Sequence, residues 1–412
     1  MIFYLILFTF MTILYVYSVY KSRNVVNLVF YKYLGLGITM ILPYCFRLVL
    51  EEQIYSVEYG DILLLFYLFC TYVITFNVEI SDKRGILKLP AFRRRNYPTN
   101  FIMIILVIIF LIYWGLNISI LKQAIINPRM FYAESRIGGG TIYYIILPIA
   151  MILYMYFISK IDFSKNYMII RALLYTILFF AIFYIFGQKS KIVMLSIIFL
   201  STYMYKREQR DVNRKIIKYG LILIVAILLV FSMYFSQQNM NFSNVFMGLV
   251  SYSDYLSNFK DLVKNLDSFY YGRIFFEDEF LSYIPRAIWK GKPELFGSLI
   301  LGLKVPRLYE WTMAKTGAPS FGPIGSMYAD FGILGIGIQL IIDYLFIKIA
   351  RYYEILLSKD KYNFFWHLMV LTFTGYAIFS ITQVKFPIYQ LIVIFAIYKL
   401  GKLKLVIRKK EG

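Results

Sequence analysis

The sequence predicts an all-α, polytopic membrane protein of about eleven transmembrane helices, interrupted late in the chain by one large polar segment built of short helices. Three observations predict it. Of the 412 residues, 60% are hydrophobic and only 16% are charged. Apolar runs long enough to cross a hydrocarbon core of roughly 30 Å recur along the chain. Lys and Arg gather between those runs, giving 44 Lys+Arg against 23 Asp+Glu and a formal net charge of +21. In this setting the excess reads as the positive-inside bias of a membrane protein and not as a nucleic-acid footprint. Only helices and closed barrels satisfy backbone groups in lipid, and these runs are too long and too uniformly apolar for barrel strands.

The spans follow in order. Residues 2–20 form the first and end at Lys21 and Arg23. This run has neither a basic leader nor a small-residue cleavage site, so it reads as a retained span. Residues 25–50 and 61–80 form the second and third, separated by a polar turn with Glu51 and Glu52. The most basic loop follows, with Lys83, Arg84, Lys88, Arg93, Arg94 and Arg95. Residues 101–120 and 143–161 form the fourth and fifth, around a loop holding Arg136 and Gly138-Gly-Gly140. The sixth, 168–186, turns through Gly187-Gln-Lys-Ser-Lys191 into the seventh, 192–205. The eighth is 220–235, the ninth 324–349, the tenth 364–382 and the eleventh 388–400, before a basic tail. With this count every dense Lys/Arg cluster falls on one side, which the charge bias marks as cytoplasmic. The N-terminus is then outside and the C-terminus inside. The chain thus divides into residues 1–236 with eight spans, an extracytoplasmic segment 237–322, and residues 323–412 with three spans and the tail.

No disulfide framework or metal site is expected. Cys45 and Cys70 both lie in apolar runs, and His367 is the single histidine. No cofactor motif is present.

The outward-facing cations need an explanation, because Lys and Arg are scarce on that side of most membrane proteins. Arg136, Lys189, Lys191, Arg273, Arg286 and Lys292 suit a phosphate or diphosphate group, Arg by a bidentate fork and Lys as a point charge. The competing reading is that long outer loops escape the charge bias, and it fits Lys260, Lys264, Lys304 and Arg307 better. Glu277, Asp278 and Glu279 follow two aromatic residues. A desolvated carboxyl there would serve as a general base; a solvated loop or helix start is the alternative. Asp330 stands where the ninth span begins, a place where burying a charge is costly.

The motifs resemble a known family. Ile284-Pro-Arg-Ala-Ile-Trp-Lys-Gly-Lys-Pro293, then Pro319-Ser-Phe-Gly-Pro-Ile-Gly325 and Tyr328-Ala-Asp-Phe-Gly-Ile-Leu-Gly335, together with the basic turn Gly187-Gln-Lys-Ser190, are similar to the bacterial oligosaccharide repeat-unit polymerases of the Wzy type, which make O-antigen and capsule. The resemblance implies a GT-C-like fold in the bacterial plasma (inner) membrane. It implies a metal-independent, cofactor-free glycosyltransferase with its active site on the extracytoplasmic side. Its substrates would be polyprenyl-diphosphate-linked oligosaccharides (undecaprenyl diphosphate is the usual carrier), and its partners membrane lipid, a chain-length regulator and a flippase, with no nucleic acid. Arg286 and Lys292 carry over as basic residues of the outer segment, and Lys189 stands where many relatives have Arg. On this reading Glu277, Glu279 and Arg286 are the catalytic candidates. Arg136, Lys189, Lys191, Arg273 and Lys292 would bind the diphosphate. Two other readings share the cations: a flippase or transporter of lipid-linked oligosaccharide, and an O-antigen ligase-like transferase. Ligases of this fold use an extracytoplasmic His, and none is present here.

Overall fold

The structure, a computed structural model, describes residues 1–22, 24–55, 57–81, 150–185, 189–206, 254–281, 284, 288–293, 295–313, 321–360, 363, 369–370 and 373. The described residues contain helices and turns and no strand. They form α1 Ile2–Ser22, α2 Leu28–Leu50, α3 Tyr59–Ile80, α4 Ala150–Lys160, α5 Asn166–Ile185 and α6 Lys189–Lys206. A run of shorter helices follows: α7 Asp254–Asn265, α8 Arg273–Glu279, α9 Ser298–Lys304, α10 Pro306–Met313 and α11 Pro323–Phe331. The long α12, Ile333–Lys359, completes the described helices.

Five of these helices are long and apolar enough to cross a membrane: Ile2–Ser22, Leu28–Leu50, Tyr59–Ile80, Asn166–Tyr184 and Ile333–Leu357. They coincide with the first, second, third, sixth and ninth spans read from the sequence. The fourth, eighth, tenth and eleventh fall wholly or largely outside the described residues. One boundary differs. The apolar pattern joined 324–349 into a single helix, but the chain breaks at Gly332, whose φ of 60° lies in the left-handed region that favours glycine. Gly335 then packs against the backbone of Met327, so close that a Cβ there would overlap the Met327 carbonyl. The span therefore begins at Ile333, and Pro323–Phe331 is a separate helix.

The chain forms two compact units: residues 1–89, 240–356 and 369–386, and residues 90–239, 357–368 and 387–412. In the first, α1, α2 and α3 share one apolar core with parts of α7, α11 and α12; Tyr4, Met11, Leu48, Leu64, Phe259 and Ile336 belong to it. Within α2, Tyr33–Ile41 winds as a π-helix before the α-helix resumes at Leu42. The amino group of Met1 donates to Ile54 O at 3.1 Å, so the start of α1 and the α2–α3 turn lie at the same end of this bundle.

The helices α7–α11 gather at that end. α7 buries Leu256, Phe259 and Leu262, a helical spacing that turns one face inward. Leu262 also joins Ile274, Leu301, Val305, Phe321 and Ala329 in a second, smaller core that holds the short helices together. In the second unit, α4, α5 and α6 are tied by Tyr154, whose hydroxyl lies 2.8 Å from Thr176 Oγ1 and donates to Leu195 O at 3.1 Å. The Lys206 ammonium donates to the carbonyls of Ile158, Ser159 and Ile161, closing the end of α4.

Candidate active site

The segment α7–α11 is held by carboxylates that accept backbone amides. Tyr270 and Tyr271 donate their N–H groups to Ala329 O at 2.9 Å and Asp330 O at 3.0 Å. Tyr271 and Gly272 then take φ values of 51° and 90°, and the chain reverses into α8 at Arg273. The first amides of a helix have no acceptor within it. Asp330 supplies one: Oδ1 accepts Ile274 N–H at 3.0 Å and Oδ2 accepts Phe275 N–H at 2.7 Å. The Asp330 side chain is fully buried, and a carboxylate at this end also meets the positive end of the helix dipole. Burial raises its pKa above the usual aspartate value, against the pull of the amides and with a further push from Glu277.

Glu277 and Asp278 do the same for α9. Glu277 Oε2 accepts Gly297 N–H at 2.6 Å, and both Asp278 oxygens accept Ser298 N–H at 3.1 Å. Gly297 has a φ of 60°, and a Cβ at that position would run into the Asp278 carboxylate. Arg273 lies one turn before Glu277 and donates through Nε to Glu277 Oε1 at 2.8 Å. This hydrogen bond raises the guanidinium pKa further. The Arg273 side chain remains more than half exposed (58%), so the other edge of its fork faces solvent. Phe276 of α8 and Phe280, the residue just past its end, stack with ring centres 5.3 Å apart.

The expected site residues fall as follows. Arg273 and Glu277 are in direct contact, and Glu279 is the last residue of α8. The ammonium of Lys292 donates to Leu281 O at 3.3 Å and Ile284 O at 3.0 Å, and lies 4.8 Å from the centre of the Phe296 ring. Lys189 and Lys191 occupy the first turn of α6, where the sequence reading had a turn between spans. Arg136 and Arg286 lie outside the described residues. Lys304 and Arg307, read as ordinary loop charges, pair with Asp267 at 3.1 Å and Asp261 at 2.5 Å. Among the described residues no group of three or more His, Cys, Asp or Glu is placed to hold a metal ion.

The first unit holds three buried charge clusters; the sequence reading took Lys260, a member of one, for an ordinary loop charge and did not single out the others as pairs. At the end near α7, Lys260 Nζ lies 3.0 Å from Asp61 Oδ2, and Tyr4 OH donates to Asp61 Oδ1 at 2.8 Å. Within the bundle, Asp343 accepts from Tyr67 OH and Thr71 Oγ1 at 2.7 Å each and from Gln339 Nε2 at 2.9 Å, with Lys32 Nζ at 3.7 Å. Toward the far end, Arg351 Nη1 meets Glu79 at 3.0 Å and Glu354 at 2.6 Å. For Lys32, Glu79 and Asp343 the available signal was an ionisable residue inside an apolar run, which lipid makes costly; Lys260, in a polar segment, carried no such signal.

Fold and geometry together define a class: an all-helical, multi-pass membrane protein whose bundle carries, at one end, a packed segment of short helices with an exposed arginine. The chain is similar to the O-antigen polymerase of Salmonella typhimurium (strain LT2) and to that of Salmonella typhi. Each is 25% identical over 395 residues, covering 94% of this chain and 92% of the relative. The similarity agrees with the resemblance read from the sequence motifs. No family profile and no solved structure matches the chain.

Proposed function

We propose that this protein polymerises polyprenyl-diphosphate-linked oligosaccharide repeat units into a surface polysaccharide, an O-antigen, capsule or exopolysaccharide, on the outer face of the plasma membrane. The carrying observation is similarity to O-antigen polymerases along nearly the whole of both chains. The reading includes a GT-C-like bundle of about eleven spans with the α7–α11 segment outside.

A hydroxyl oxygen of one lipid-linked unit attacks the anomeric carbon of another chain. The new glycosidic bond forms as the bond from that carbon to the diphosphate oxygen breaks, and the configuration inverts. The polyprenyl diphosphate leaves with the electron pair. The demand on the protein is to meet the charge growing on the diphosphate and to hold two bulky chains in line. Arg273 and Arg286 would meet that charge with their forks. Lys292 would add a point charge toward the diphosphate, with its ammonium already bonded to the carbonyls of Leu281 and Ile284. The hydroxyl proton would pass to Glu279 or Glu277. Glu277 is already engaged by Arg273 and Gly297 N–H, and would have to release one of them. A chain-length regulator and a flippase would act alongside.

In cells that carry a deletion of the gene, Arg286→Ala should leave single capped repeat units, while the parent sequence restores a ladder. A normal ladder from Arg286→Ala would remove that residue from the site. A second reading, transport of lipid-linked oligosaccharide, has one observation in its favour: the Lys32–Asp343 pair lies inside the spans. Vesicles in which the purified protein moves substrate across the bilayer without forming a glycosidic bond would select it.

A further inference from the structure

Asp330 is the group that fixes where Arg273 stands. It is fully buried at the end of α11, and both carboxylate oxygens are spent on the amides of Ile274 and Phe275, the two residues after Arg273. The neighbouring backbone adds two bonds between the same strips of chain, Tyr270 to Ala329 and Tyr271 to Asp330. The strips also interlock through their glycines. A Cβ on Gly272 would come within 3.1 Å of the Phe331 ring, and one on Gly332 within 2.9 Å of the Phe269 ring. Among the described residues the Arg273 side chain is tethered to Glu277 of its own helix, and Glu277 in turn accepts Gly297 N–H, which ties that turn of α8 to α9 but leaves the amides of its first turn to Asp330. Gly272 has no side chain to cap α8. What anchors the first turn of α8 is therefore a carboxylate 57 positions further on, beside the start of the α12 span.

We propose that Asp330 is a positioning residue for glycosyl transfer: it holds the first turn of α8 so that the Arg273 guanidinium meets the diphosphate of the departing polyprenyl carrier. The inference rests on the polymerase reading above. The side chain touches neither substrate nor reacting atoms. Its contribution is to the placement of a charge that must be in position before the bond breaks, and a misplacement near 1 Å can cost about a hundredfold in rate.

The test is a double-mutant cycle with the full-length protein in proteoliposomes, using a radiolabelled polyprenyl-diphosphate-linked repeat unit and scoring single linkages. Asp330→Asn keeps one acceptor but turns an amide NH₂ toward a backbone N–H. Asp330→Ser keeps one acceptor in less volume, so the cycle does not depend on one variant folding. Either should lower kcat about tenfold or more with KM little changed, because the loss falls on the transition state. In an Arg273→Gln background, which retains the backbone but not the charge, the same change at 330 should cost almost nothing further. Two results overturn the inference: full activity of both Asp330 variants while Arg273→Gln is impaired, or a loss at 330 that multiplies undiminished onto Arg273→Gln, as a general packing role would give. Full activity of Arg273→Gln alone is a separate outcome, and it would overturn the role given to Arg273 in the polymerase reading and the inference with it.

Discussion

Lys260 and Asp61 form an ion pair of 3.0 Å, both side chains buried, where α7 crosses the first turn of α3. The crossing is close because residue 60 is glycine: a Cβ there would lie 3.0 Å from Lys260 Cα. Tyr4 from α1 completes the cluster through Asp61 Oδ1. One lysine of the late polar segment is thus bound to the first and third helices of the bundle. A long outer loop could have been a loose tether; this contact makes the segment part of the bundle's own packing.

Removing one member of that pair should be expensive, because the other charge stays buried. Lys260→Met or Asp61→Leu should each destabilise the protein by about 3–5 kcal/mol, and the Lys260→Met/Asp61→Leu double change should recover part of the loss. Thermal unfolding of the detergent-solubilised protein reads both. Strictly additive losses in the double variant would show that the two groups are not a pair.

Asp343 should matter more than Lys32. It is the shared acceptor of Tyr67, Thr71 and Gln339 as well as the partner of Lys32. Asp343→Ala removes the shared acceptor of three donors together with the ion-pair partner of Lys32, whereas Lys32→Met leaves the carboxylate three hydrogen bonds. The expected order of melting temperatures is parent, then Lys32→Met, then Asp343→Ala. Equal losses would mean that the hydrogen bonds contribute little.

Much of the bundle was legible because burial in lipid writes itself as uninterrupted apolar runs. The helices over Ile2–Ser22, Leu28–Leu50 and Tyr59–Ile80 agree with their sequence readings within a few residues. The Gly332 break was hidden, since a hydropathy pattern does not register a single left-handed glycine between two apolar stretches. In the candidate site, the acids were recognised but not their work. Glu277 and Asp278 cap a helix that begins 20 positions later, and Asp330 caps one that begins 57 positions earlier. Caps of this kind join residues far apart in the chain, so no local motif announces them. Lys292 was read as a ligand for diphosphate, while its ammonium is bonded to two carbonyls of its own loop.

Sidedness is open to direct labelling. Tyr55 in the α2–α3 turn and Tyr271 before α8 are highly solvent-exposed, at 81% and 84%. With Cys45 and Cys70 replaced by Ser or Ala, Tyr55→Cys and Tyr271→Cys should both react with a membrane-impermeant maleimide applied to intact spheroplasts. A cysteine at Lys21 should react only after lysis. Protection of position 271 until lysis would put the α7–α11 segment on the cytoplasmic side and remove the outer-face reaction.

The most direct measurement is reconstitution. Purified protein in proteoliposomes, given only a polyprenyl-diphosphate-linked repeat unit and no nucleotide or metal, should build a ladder of products. It should release one polyprenyl diphosphate for each linkage formed, and Arg286→Ala should form none. Intact single units after prolonged incubation, from protein that still restores polysaccharide when returned to cells, would contradict the claim that this chain by itself joins them.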